Sequence, residues 1–177
     1  MAIYPTHTLL MDMKFRPGDM FVVEGKAAIS GLIRYFSRGL ASHAGLITDS
    51  FGNTIESLHR IRHAHVADYL GQRIVIVRPI AFEEKKEEAI KAVRANWLNK
   101  RYPYWRLLVH AIDSILPTFG KINLLKIPVC SELVAFAGWK MGVRDGDKIW
   151  GTNPDDLADE WLFSDKYEIV YRGRLTK

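Results

Sequence analysis

The only cysteine of the chain, Cys130, begins an apolar stretch, Cys-Ser-Glu-Leu-Val-Ala-Phe-Ala-Gly-Trp, that constrains the fold more than any other segment. A stretch this apolar predicts a buried helix. Because Pro128 disfavours helix just before it, we expect the thiol in the first helical turn, where partial positive charge stabilises a thiolate. The alternative is that Cys130 is a small buried hydrophobic residue.

Short apolar strands and amphipathic helices precede and follow this helix. The strands are predicted at residues 20–23, 44–48, 54–58, 74–77 and 168–171, the last extending towards residue 175. The helices are predicted at residues 27–37, 83–98, 104–116, from 130 to near 142, and from Asn153 onward. Together they predict an α+β fold, a small and mostly antiparallel sheet with helices packed on it.

Length and composition favour one domain over residues 1–177, because the chain has 177 residues of which 48% are hydrophobic. One cysteine cannot form an internal disulfide, and we find neither a secretory signal nor an apolar run long enough to span a bilayer. We therefore expect a cytoplasmic protein by default, with phage delivery or unconventional export as alternatives. The sequence leaves the oligomeric state open.

His43 and Glu56 are the candidate partners of the thiol. His43 begins the strand Ser42-His43-Ala44-Gly45-Leu46-Ile47, and Glu56 lies on the next predicted strand. A hairpin joining these strands would bring the two side chains close on one face, since facing residues lie about 5 Å apart. A carboxylate there can orient an imidazole, and an imidazole can activate a thiol. A core histidine and an exposed glutamate are the plainer interpretations.

These segments together resemble one family. In order along the chain they are Gly18-Asp19-Met20-Phe21-Val22-Val23, Ser42-His43-Ala44-Gly45-Leu46-Ile47, Ile55-Glu56-Ser57, Tyr102 and Cys130-Ser131-Glu132-Leu133-Val134. They resemble the circularly permuted, YiiX-like branch of the NlpC-type papain-like cysteine peptidases, and more distantly the lecithin:retinol acyltransferase-like enzymes. In that branch the histidine precedes the cysteine, as it does here. The resemblance spans residues 16–157.

The resemblance implies a papain-like fold and a cysteine peptidase or amidase that works through a thioester. It makes Cys130 the nucleophile, His43 the general base and then acid, and Glu56 the orienting carboxylate. Tyr102 becomes a candidate oxyanion donor or pocket wall, although Pro103 stands where the family has a small polar residue, and plain packing is an equal alternative. The implied substrates are peptides, peptidoglycan fragments or lipid-like molecules carrying amide or ester bonds.

Other patterns favour no further chemistry. The basic stretch from His59 to His65 lacks recognisable metal-ligand spacing and is interpreted as a solvated loop, with an anionic substrate or polymer as a candidate contact. We predict no cofactor, no metal and no nucleic-acid partner, because no phosphate-binding loop and no nucleic-acid-binding motif is present. The alternative to an enzyme is a non-catalytic binding or structural module of the same fold.

Overall fold

The computed structural model describes residues 12–24, 41–58, 60–101 and 128–176. The predicted helices at residues 27–37 and 104–116, the candidate residue Tyr102, and His59 lie outside the described residues.

One antiparallel sheet organises the described chain. Its six strands are β1 (Met20–Glu24), β2 (His43–Ile47), β3 (Asn53–Ser57), β4 (Ile61–His65), β5 (Arg73–Pro79) and β6 (Tyr167–Arg174), in the order β4-β3-β2-β1-β5-β6. Every neighbouring pair runs antiparallel. The β2–β3 hairpin expected from the sequence is confirmed, with Gly45 opposite Glu56.

Three α-helices belong to the described residues: α1 (Glu83–Trp97), α2 (Cys130–Lys140) and α3 (Pro154–Phe163). The helix predicted from Cys130 is buried along most of its length, because its residues are small or apolar on all sides. Asn153 caps α3 by accepting from the Asp156 N–H at 2.9 Å, while the Asp156 carboxylate accepts from the Asn153 N–H at 2.9 Å. The predicted α+β class is therefore confirmed.

The sheet has an apolar core on each face. Alternation along β1 sends Met20 and Val22 to the helices, into a cluster that includes Leu133 of α2 and Trp161 of α3. Phe21 lies in the second cluster, on the opposite face. The second cluster contains Phe15, Phe21, Val23, Ile47, Val66, Tyr69, Ile74, Ile76, Tyr171 and Leu175. Both faces of β1 and β2 are thus buried, so a polar side chain there needs a partner inside the protein.

One prediction about the chain after β3 was wrong. The basic stretch expected to be a loop instead contains β4, which pairs with β3 and places Arg62 opposite Glu56. A short 3-10 helix, Val66–Tyr69, follows it directly. The sequence pattern missed β4 because only Ile61 of this edge strand is fully buried, and the alternation that marks a half-buried strand is absent.

Among the described residues, no helix combines the length and the apolar character needed to cross a bilayer.

Candidate active site

The candidate site lies where β2 begins, β3 ends and α2 starts. His43 is the first residue of β2 and Ser57 the last of β3, and the strands are antiparallel, so these ends lie side by side. Ser57 holds the approach to α2 there, because its hydroxyl donates to the Pro128 carbonyl at 3.1 Å. The start of a helix is therefore fixed against a strand end that carries a histidine.

His43 and Glu56 form a buried pair. The Nε2 atom of His43 lies 3.1 Å from Oε2 of Glu56, and the residues are only 6% and 0% exposed. Gly45 faces Glu56 across the strands and has no side chain. A Cβ on Gly45 would lie 2.4 Å from the ring of Phe21, so that ring occupies the room that a larger residue would need.

Cys130 contacts the same imidazole. Both its hydrogen bonding and its charge act on His43, and because Nε2 faces Glu56, Nδ1 is the ring nitrogen left for the sulfur. Burial on its own lowers the pKa of His43, but the hydrogen bonds and charges of Cys130 and Glu56 outweigh it and raise that pKa to about 9. The imidazole is therefore held in its charged form, which is the form that stabilises a neighbouring thiolate.

Glu56 is held by two further donors. The hydroxyl of Tyr69 donates to Oε2, and Arg62 donates to Oε1 from Nη2 at 2.9 Å and from Nε at 3.3 Å. Burial raises the pKa of Glu56, but His43, Tyr69 and Arg62 together lower it below its ordinary value. Burial and the neighbouring charge of Glu56 raise the pKa of Tyr69, so its hydroxyl remains a donor.

Glu132 fixes the first turn of α2. Its fully buried carboxylate accepts from the N–H of Val129 at 3.0 Å and from the N–H of Gly151 at 3.0 Å. The next residue back, Ser131, donates to the Thr152 carbonyl at 2.6 Å. Val129 at the N-cap has no side-chain acceptor, so these two polar side chains tie the start of the helix to the segment before α3.

The structure thus brings together three of the four residues singled out from the sequence, namely Cys130, His43 and Glu56. Sequence reasoning missed the contributions of Tyr69, Arg62 and Glu132. Arg62 could have been found once β4 was paired with β3, because the register places it opposite Glu56. Tyr69 is the last residue of a short 3-10 helix whose position no periodic pattern signals.

Comparison of the whole chain with solved structures gives a clear likeness. The crystal structure of the metalloprotein yiiX from Escherichia coli O157:H7 matches with a TM-score of 0.59 and 13% sequence identity, over 91% of this chain and 99% of that one. This chain shares the fold of yiiX. No family model and no curated protein matches the sequence.

The yiiX likeness raises the question of a metal, since that protein is described as a metalloprotein. Among the residues described here, no group of three His, Cys, Asp or Glu side chains is arranged to hold a metal ion. Both oxygens of Glu56 already accept hydrogen bonds, one from Arg62 and the other from Tyr69. The described side chains around His43 therefore do not fit a metal, and we derive no step through one.

Proposed function

We propose that the protein is a cysteine hydrolase or acyl-transfer enzyme that works through a thioester on Cys130. The observation that carries this proposal is the buried contact of 3.1 Å between His43 and Glu56, with Cys130 acting on the same imidazole. A thiol, an imidazole and a carboxylate in that sequence are the groups that nucleophilic acyl transfer requires. Burial of the pair supports the proposal, since electrostatic interactions are stronger away from water.

In the first half of the reaction, His43 holds the proton of the Cys130 thiol as an imidazolium, and the thiolate attacks the substrate carbonyl. A carbon–sulfur bond forms while the carbonyl oxygen takes up the electron pair. His43 then gives its proton to the leaving nitrogen or oxygen, the bond to that atom breaks, and an acyl thioester remains. Glu56 stabilises the imidazolium through the contact at Nε2.

In the second half, water or an amine attacks the thioester. His43 accepts the proton of the attacking group, and the thiol is restored as the acyl product leaves. The oxyanion of each tetrahedral intermediate would be stabilised by backbone N–H groups in the first turn of α2, since the first N–H groups of a helix lack partners within that helix. Tyr102 stays a prediction for a second donor.

The proposal includes a protein family as well as an activity. We infer a circularly permuted papain-like protein of the NlpC type, with peptides, peptidoglycan fragments or lipid-like molecules as substrates. The yiiX fold supports this inference, and so does the position of His43 before Cys130 in the chain. A non-catalytic module of the same fold is the alternative that the experiment must separate.

A chromogenic ester tests the proposal without knowledge of the natural substrate. Incubation with p-nitrophenyl acetate should release p-nitrophenol in a burst and leave an acetyl group on Cys130, detected as added mass on the intact protein and mapped by peptide sequencing. The Cys130→Ser variant should fold normally and give neither burst nor adduct. Equal turnover in that variant would exclude Cys130 as the nucleophile, and no adduct on the wild type would favour the binding module.

A further inference from the structure

We propose that Tyr69 and Arg62 are positioning residues which keep Glu56 ionised and hold the His43 ring in its reactive orientation. This inference rests on the proposed function and assigns roles to two residues outside the candidate triad. It concerns the two donors other than His43 that contact the carboxylate of Glu56.

Tyr69 acts on Glu56 and on His43 at once. Its hydroxyl donates to Oε2 of Glu56, the same oxygen that contacts His43. Its ring lies beside the imidazole, with the centroids 5.8 Å apart and the planes inclined by 30°. Phe21 completes the enclosure, because its ring centroid lies 5.4 Å from that of Tyr69 and 6.4 Å from that of His43. The orientation of the imidazole is thus limited by packing as well as by its hydrogen bonds.

Arg62 balances the charge of Glu56 from the edge of the sheet. Its guanidinium donates twice to Oε1, the oxygen that Tyr69 leaves uncovered. The Arg62 side chain is 44% exposed whereas that of Glu56 is 0% exposed. A buried carboxylate without compensation is costly, whereas a cation reaching it from a solvated position loses less hydration. Arg62 therefore favours the ionised form of Glu56.

The position of Tyr69 is set by the short 3-10 helix of which it is the last residue. His65 precedes the short 3-10 helix, and its Nδ1 accepts from the Ala67 N–H at 2.9 Å. Its other ring nitrogen, Nε2, lies 2.8 Å from the Phe51 carbonyl and donates to it. His65 thus caps the helix ending at Tyr69 with one ring nitrogen and contacts the Phe51 carbonyl with the other.

Four groups therefore act on the charge of Glu56. They are His43 from β2, Arg62 from β4, Tyr69 from the 3-10 helix and, through the imidazole, Cys130 from α2. Loss of the Tyr69 hydroxyl or of the Arg62 charge makes Glu56 bind a proton more readily. Acidification would then remove the support for the imidazolium at a higher pH than in the wild type, and the thiol would lose reactivity there.

The test is the pH dependence of alkylation of Cys130 by iodoacetamide, followed by intact mass between pH 4 and pH 9. We expect the midpoint of the acid limb of this profile to move up by about half a pH unit or more in Tyr69→Phe and in Arg62→Gln. At a fixed pH on the acid limb, such a shift lowers the alkylation rate about threefold. Arg62→Lys should recover part of the shift. Arg60→Gln is the matched control, because Arg60 is exposed and adjoins the same strand without an ion pair to Glu56.

The outcomes separate this inference from the proposed function. If Tyr69→Phe and Arg62→Gln fold and keep the wild-type midpoint, while His43→Ala still abolishes fast alkylation, the positioning roles are wrong and the proposed function stands. If wild-type Cys130 reacts no faster than a model thiol, the proposed function falls and this inference with it. If Tyr69→Phe fails to fold, the Arg62→Gln and Arg62→Lys pair decides, since a purely structural arginine would change the melting temperature without moving the midpoint.

Discussion

The Nε2 atom of His43 lies 3.1 Å from Oε2 of Glu56 inside the protein. The residue directly opposite Glu56 on β2 is Gly45, which has no side chain. His43 and Glu56 are on adjacent antiparallel strands, two positions out of direct register. Such diagonal neighbours are further apart than facing ones, but the two side chains are long enough to reach hydrogen-bond distance. This contact determines which nitrogen of His43 is available to Cys130.

Replacing Glu56 should change the titration of His43 directly. In Glu56→Gln the imidazole loses a charged acceptor, so the pKa of His43 should fall from about 9, where the hydrogen bonds and charges of Cys130 and Glu56 hold it against the opposing effect of burial. The measurement is the ¹³Cε1 chemical shift of histidine against pH. Glu168→Gln on β6 is the matched control and should leave the titration unchanged. An unaltered His43 titration in Glu56→Gln would show that the carboxylate does not stabilise the imidazolium.

Stability in acid should depend on the same carboxylate. The pKa of Glu56 is lowered in the folded state, since His43, Tyr69 and Arg62 outweigh burial. The contribution of Glu56 to the free energy of unfolding is therefore complete above its ordinary pKa of 4.5. It is lost as the pH falls through the lower pKa that Glu56 has in the folded state. His43 is protonated in both folded and unfolded states at such pH values and adds no slope there. Urea unfolding of the wild type and Glu56→Gln between pH 3 and pH 7 should show a shallower acid decline in the variant.

Gly45 should tolerate no side chain. A Cβ there would lie 2.4 Å from Cζ and 2.5 Å from Cε1 of the buried Phe21 ring, so Gly45→Ala must displace that ring. We expect a loss of about 1–3 kcal/mol in the free energy of unfolding and slower alkylation of Cys130, because Phe21 packs near His43. Gly138→Ala in α2 is the control: its nearest neighbour would be 3.5 Å away, and we expect a gain of about 0.5 kcal/mol. Equal stability of the two variants would contradict the account.

Glu132 should affect the reactivity of Cys130 by fixing the first turn of α2. Val129 and Gly151 donate to different oxygens of Glu132, so in Glu132→Gln one of the two N–H groups loses its acceptor and faces an amide NH2 instead. We expect a loss of about 2 kcal/mol in unfolding free energy and a lower alkylation rate for Cys130, because the first turn of α2 is less well fixed. Glu87→Gln on the exposed face of α1, which breaks a surface ion pair with Lys91, should change stability by less than about 0.5 kcal/mol. No difference between these variants in chemical denaturation would refute the role of Glu132.

Much of the fold follows from local patterns. The strands β1, β2, β3 and β5 are short apolar runs ended by turn residues, and α1 and α2 carry the apolar periodicity or uniform apolar character expected of packed helices. The hairpin of β2 and β3 could be predicted because turn residues separate two apolar strands, and it was this hairpin that paired His43 with Glu56.

The rest of the site depends on contacts that no local pattern encodes. β4 is an edge strand with exposed Arg62 and His63, and its position is set by pairing with β3. Tyr69 reaches Glu56 only because the chain turns back after β4 in a 3-10 helix. Glu132 looks like an ordinary glutamate in the sequence, and only the folded chain brings Gly151 to it. These residues depend on tertiary structure, which hydrophobic periodicity does not report.

The most direct test of whether His43 activates Cys130 is the rate at which iodoacetamide alkylates the wild-type protein at pH 6. An ordinary thiol is about 0.3% ionised at that pH, so it reacts slowly. Because the chain has one cysteine, added mass reports on Cys130 alone. If His43 activates Cys130, we expect stoichiometric labelling of the protein at a rate at least about tenfold higher than that of glutathione, and loss of the excess rate in His43→Ala. Labelling no faster than glutathione, and unchanged in that variant, would contradict this activation.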